Sequence, residues 1–299
     1  MDLETPEFRE LYELLWEPKE VWYSEVLPAW LPKARQAIEA LAPFRKRNSA
    51  SNPYPILESN VWERNRRRLD PSSIDHSDLW QWYAFSRVKD RLLTKFPRGH
   101  GRYPVKWRQE CQEEYVALFE SLGFRAFSDY PFHPFYHEIV EVEEDSSLHP
   151  GEIMVAYVYW PGLMFGNMMF SRSGAGVLCY PGVLKKHIAE KSTLYFTYLR
   201  EGRKTEDLSL GWGHNSQWGT DFRRDYEEDG VYQFNVDGKC RLDEGYEASL
   251  SPLRRMHLDD LTMNERIELL IHRCFVTCEK DDANRWPYED TYSMPRQAT

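Results

Sequence analysis

At Phe124 the spacing of apolar residues changes, and that change restricts what the chain can fold into. Before it, Leu79, Trp82, Tyr83, Leu92, Leu93 and Phe96 recur at the three- and four-residue intervals of a helix face, followed by Trp107, Cys111, Tyr115, Leu118, Phe119 and Leu122. Asp75 or Ser77 offers a cap to the first helix. Pro104 precedes the second, and Gly123 is placed to end it. After it come short runs rich in β-branched and aromatic residues, at 124–130, 135–144, 152–160, 163–170, 175–180, 193–199 and 231–236. They are bounded by Gly, Pro, Asp or Ser, with turn signals at Pro161-Gly162, Ser173-Gly174 and Asp237-Gly238.

Helices first, strands next and a helix last give an α+β protein. The expected architecture is N-terminal helices packed on a meandering antiparallel sheet, with a C-terminal helix. Thr5-Pro6-Glu7 starts a helix, and prolines at 28 and 32 divide the segment after it into short pieces. Thr262-Met-Asn-Glu265 has the spacing of a capping box and opens a helix through Ile267, Leu270, Ile271 and Cys274. The soft divisions are a helical region 1–123, a β-rich region 124–280 with its closing helix, and a polar tail 281–299.

Charge is segregated along the chain. Residues 1–130 hold 20 basic and 20 acidic groups, and the remaining 18 and 28 place the whole net charge of −10 in the second part. An acidic half repels nucleic acid and attracts basic partners. Residues 41–108 are basic and carry Trp62, Trp80, Trp82 and Trp107, a mixture that suits single-stranded nucleic acid. Trp82 and Trp107 belong to apolar stripes, however, and arginines facing the acidic half account for the asymmetry. The expectation is therefore against nucleic acid. Five scattered cysteines, no leader at Met1-Asp-Leu-Glu and no run long enough to span a bilayer point to a cytoplasmic protein with free thiols.

The densest polar stretch is Gly211-Trp-Gly-His-Asn-Ser-Gln-Trp-Gly-Thr-Asp-Phe-Arg-Arg-Asp-Tyr226. Three glycines and alternating charge read as a loop. If it is catalytic, His214 is typed as a general base, Asp221 as its orienting acid, and Arg223 or Arg224 as an anion clamp, with His137 as a second imidazole. If it is a binding surface, Trp212, Asn215, Gln217 and Trp218 carry it. Glu141, Glu143, Glu144 and Asp145 then form an acidic patch for a basic partner.

His133-Pro-Phe-Tyr-His137 has zinc spacing only on a helix. Pro134 and the run Ile139-Val-Glu-Val142 instead read as a strand entry, with the imidazoles about 13 Å apart at the rise of a strand. On that strand His137, Ile139, Glu141 and Glu143 would share a face. Cys274 and Cys278, on one helix side near His272, lack a second ligand pair. The sequence contains no nucleophile elbow, phosphate loop or dinucleotide fingerprint, so neither metal nor cofactor is expected.

His137-Glu-Ile-Val-Glu-Val142, Pro161-Gly162, Ser192-Thr-Leu-Tyr-Phe-Thr-Tyr198, the 211–226 stretch and Leu269-Leu-Ile-His-Arg-Cys274 resemble a family of uncharacterised bacterial cytosolic proteins. The resemblance covers about residues 130–280 and implies a bacterial origin and no particular activity. Acidity, abundant Trp and Tyr and segregated charge favour a non-catalytic interaction protein that captures a basic partner, immunity- or antitoxin-like. The competing expectation is a hydrolase or transferase acting on a phosphorylated or nucleotide-like small molecule at 211–226.

Overall fold

The computed structural model describes residues 7–15, 19–47, 76–93, 95–96, 105–190, 222–238, 240–243, 258, 260–281, 285 and 290–296. The fold is α+β. Helices α1 (Glu7–Leu14), α2 (Leu27–Ala40), α3 (His76–Leu93) and α4 (Val105–Ser121) come first. Strands β1 (Arg125–Phe127), β2 (His137–Glu144), β3 (Ile153–Trp160), β4 (Gly162–Phe165), β5 (Met168–Ser171) and β6 (Ser173–Cys179) come next. The short α5 (Lys186–Ala189) precedes β7 (Asp225–Glu228), β8 (Val231–Phe234), β9 (Cys240–Arg241), α6 (Met263–His272) and β10 (Asp290–Pro295).

The strands form two sheets, not the single meander expected. A seven-stranded sheet has the order β1-β4-β5-β7-β8-β10-β9, and a three-stranded sheet the order β2-β6-β3. Pairing is antiparallel except for β2 with β6 and β9 with β10. The run 163–170 is two strands, because Gly166 turns the chain in the left-handed region (φ 59°). A Cβ there would lie 2.2 Å from the Arg45 carbonyl oxygen, so the turn admits no side chain. The strand expected at 193–199 lies outside the described residues. Within the expected tail, Asp290–Pro295 pairs with β8. Thr291, Ser293 and Pro295 alternate with Asp290, Tyr292 and Met294 too briefly for a polar sequence to announce a strand.

The large sheet is buried on both faces. On one, Leu163, Phe165, Met168, Phe170 and Tyr226 pack with Trp82, Phe85, Phe119 and Phe124 from the helical layer, in one aromatic core. Trp82 lies 5.0 Å from Phe165 and 5.5 Å from Phe170, centroid to centroid. On the other face Met164, Met169, Tyr232 and Phe234 meet Phe135, Tyr136 and Leu270. Pro28 and Pro32 do not divide α2. Pro28 sits in the first turn, where no intrahelical N–H is used, and Pro32 forgoes one bond a turn later. The capping box at Thr262 and Glu265 forms, with Glu265 N–H to Thr262 Oγ1 at 3.3 Å and Thr262 N–H to Glu265 Oε2 at 2.7 Å. The helix it opens stops at His272, so Cys274 and Cys278 lie beyond it. None of the five cysteines forms a disulfide. Among the described residues no helix is long and apolar enough to cross a membrane.

Candidate functional site

Asp225 opens β7, and its carboxylate is fully buried. Three guanidinia meet it: Arg223 Nε at 2.8 Å, Arg273 Nη2 at 2.8 Å and Arg172 Nη2 at 3.5 Å. The Asn235 backbone N–H adds a fourth contact at 2.8 Å. These partners come from separate places in the chain. Strand alternation puts Arg223 on the face of Asp225 and sends Arg224 to the other side. Arg224 there pairs with Asp237 through two nitrogens and packs over Phe44. Arg273 is the left-handed residue that ends α6 (φ 62°), and Asn235 is left-handed after β8 (φ 50°). Two of the three described non-glycine residues with positive φ therefore hold the same carboxylate, and such backbone strain gathers at functional sites.

Arg172 is the single residue between β5 of the large sheet and β6 of the small one. Its carbonyl accepts the Trp160 indole N–H at 3.0 Å, and the next residue, Ser173, donates its N–H to Tyr136 O at 2.8 Å. Its side chain is buried, yet Nε and Nη1 have no hydrogen-bond partner. Burial first, then Arg273 and Arg223, lower its pKa to about 9 against the pull of Asp225 and Glu138.

His133 and His137 are not 13 Å apart on an extended segment. Pro134 supports a single helical turn in which Tyr136 and His137 donate their N–H groups to His133 O at 3.0 and 2.9 Å. The turn brings His137 Nδ1 to 3.2 Å from both the N and the O of His133. His133 acts as an N-cap, its Nδ1 accepting the Phe135 N–H at 3.1 Å as a Ser or Asp oxygen does. His137 is 1% exposed, and its Nε2 is buried without a partner. His272, the last residue of α6, completes the group. Burial first, then Arg172, hold His272 near 3, with a further push from His133. The same order of causes holds His133 near 4, helped by His137. His137 is also near 4, through burial first and then Arg172. All three rings are neutral at neutral pH.

Of the residues singled out from the sequence, the structure brings His137 and Arg223 to this centre and takes Arg224 away from it. His214, Asp221, Trp212, Asn215, Gln217 and Trp218 lie outside the described residues. The acidic patch is elsewhere. A bulge at Val140 shifts the register of β2 on β6, so His137, Ile139 and Val142 face inward while Glu138, Glu141 and Glu143 share the outer face. This corrects the strict alternation expected of 137–144. Glu141 accepts from the Tyr159 hydroxyl and Glu143 from Tyr157 at 2.8 Å. Glu144 accepts from Gly182 N–H at 3.2 Å and Asp145 from Ser147 N–H at 2.8 Å. Gly174 and Gly176 are not a phosphate loop, because the Trp160 and Tyr157 rings lie where their Cβ atoms would be.

Arg172 and Arg273 are not among the site residues that sequence patterns single out, while Asp225 lies in the polar stretch 211–226 and His133 stands out only as a candidate zinc ligand. Arg172 does leave a signal, as the only charged residue between Leu163 and Cys179, in a run that otherwise reads as buried strand. Among the described residues no group of three or more His, Cys, Asp or Glu is spaced to hold a metal ion. Set against family models, curated proteins and solved structures, the chain matches none of them.

Proposed function

We propose that the centre at Arg172 and His137 binds the oxyanion of a small molecule, of the phosphorylated or nucleotide-like class, on which the chain acts as a hydrolase or transferase. One observation carries the reading. Arg172 Nε and Nη1 and His137 Nε2 are buried nitrogens without partners, on residues gathered within electrostatic reach of one another. A buried guanidinium that leaves donors unmatched costs free energy, and an anion supplies the missing acceptors. Guanidinia are the side chains best shaped for phosphate, and imidazoles held neutral beside them can donate or take a proton. Asp225 orients the arginines without competing for all of their donors.

Thermal unfolding with added phosphate, sulfate and a panel of phosphate esters tests this. The expected result is a rise in Tm for the wild-type protein and none for Arg172→Gln. Equal response in the two, or no response in either, contradicts the reading.

A second reading keeps the interaction-protein expectation, immunity- or antitoxin-like. Glu143 on β2 and Met154 on β3, the two outer strands of the small sheet, are exposed on the same face across Leu178 of β6, a face of mixed acid and apolar character suited to a basic partner. Changing Glu141, Glu143, Glu144 and Asp145 to Ser should then weaken capture of that partner and flatten its salt dependence. Undiminished recovery by the changed protein counts against it.

A further inference from the structure

The turn from His133 to His137 also determines which nitrogen of each imidazole carries the proton. We infer that His137 is a fixed N–H donor to the bound oxyanion and not a base, its proton placed on Nε2 by the main chain of His133. The inference rests on the oxyanion-binding reading above and adds the role of one residue to it.

His137 Nδ1 is equidistant, at 3.2 Å, from His133 N and His133 O. A carbonyl oxygen has two lone pairs, and those of His133 already accept the N–H groups of Tyr136 and His137. The His133 N–H faces His137 Nδ1, which therefore accepts it. A neutral imidazole that accepts at Nδ1 carries its proton at Nε2. His133 repeats the pattern, because its own Nδ1 accepts the Phe135 N–H.

The turn thus converts both histidines into Nε2–H donors, and the buried Nε2–H of His137 is the one left without an acceptor. The charged group acting on it from another element is Arg172 from the β5–β6 link, and His272 from α6 lies within reach of Arg172 and His133. Beyond Arg172 lie Asp225, Arg223, Arg273 and Glu138. With Arg172 within electrostatic reach, every unmatched buried nitrogen of these two residues is a donor, the complement of an oxygen-rich anion rather than of a cation.

Long-range ¹H–¹⁵N correlation on imidazole-labelled, full-length protein at neutral pH reads the tautomer directly. The probe is then inorganic phosphate, with sulfate as an anion that does not titrate in the range. The expected spectrum has Nδ1 unprotonated and Nε2 protonated for His137, with the Nε2–H proton moving downfield on phosphate and on sulfate. His133→Ala, which keeps the backbone N–H, should leave the His137 tautomer unchanged. His137→Gln, which keeps a donor, should retain anion binding, and His137→Phe should weaken it about tenfold, the loss of one charge-assisted hydrogen bond. A protonated Nδ1 overturns the inference while leaving the oxyanion site intact. The expected tautomer with no response to either anion removes the oxyanion reading, and the donor role with it.

Discussion

Asp290 and Asp225 are both buried carboxylates bound by arginine, and their environments push them in opposite directions. Asp290 has one guanidinium, Arg266, set along both of its oxygens, and burial still outweighs that partner and raises its pKa. Asp225 has Arg223, Arg273 and Arg172 around it, and together they overcome a burial cost of the same sign and hold it well below the usual carboxylate range. A single well-formed pair closes on itself. Three guanidinia and a backbone N–H crowd two oxygens, and Arg172 takes the longest contact, 3.5 Å, with Nε and Nη1 unmatched. The closed pair is how a fold keeps a charge inside, whereas the crowded carboxylate is how it aims one at something else.

The sharpest break of that comparison is a pair of substitutions. Arg266→Gln leaves Asp290 without its guanidinium and should cost about 3–5 kcal/mol. Arg172→Gln leaves Asp225 with Arg223 and Arg273 and should cost only about 1 kcal/mol. Denaturant midpoints decide it, and the reverse order would erase the distinction between the two carboxylates.

Acid should come next in effect. Rings whose folded pKa lies near 4 or 3 are neutral in the fold, whereas in the unfolded chain they protonate at about 6.5. The unfolded state then binds more protons, so their contribution is intact above about pH 6.5 and is lost as pH falls toward the folded values. For the fully buried His137 the slope is on the order of 1.4 kcal/mol per pH unit, and His137→Gln should remove that share. Asp225 acts in the same direction, but only below the ordinary carboxylate range, so unfolding measured against pH should fall in two separate stages. A single step at carboxylate pH means the imidazoles are not held neutral.

Gly174→Ala should cost about 1–3 kcal/mol, because its methyl must displace the Trp160 ring. That ring holds the Arg172 carbonyl, so anion-induced stabilisation should shrink as well. Single changes of Glu143 or Glu144 to Ser should stay within about 0.5 kcal/mol, as befits exposed charges. A large loss there would make the acidic face part of the scaffold.

The fold class is legible in the sequence because period alone separates the stripe ending at Leu122 from the runs after Phe124. Two sheets are not, because a parallel pair such as β2 with β6 joins segments far apart in sequence. Half of the site is in view: Arg223 by its composition, His137 by its type. The rest is hidden by local geometry. Pro134 looks in sequence like an interruption and instead closes the turn that joins two imidazoles. One bulge at Val140 reverses the expected face of the acids. Arg172 and Arg273 are single residues in apolar surroundings, brought to Asp225 only by the packing of both sheets and α6.

The most direct test of the centre is a crystal structure of the protein grown in sulfate. The account predicts a sulfate within hydrogen-bond distance of Arg172 Nε or Nη1 and of His137 Nε2. Sulfates bound only elsewhere, with those nitrogens occupied by ordered water, would contradict it.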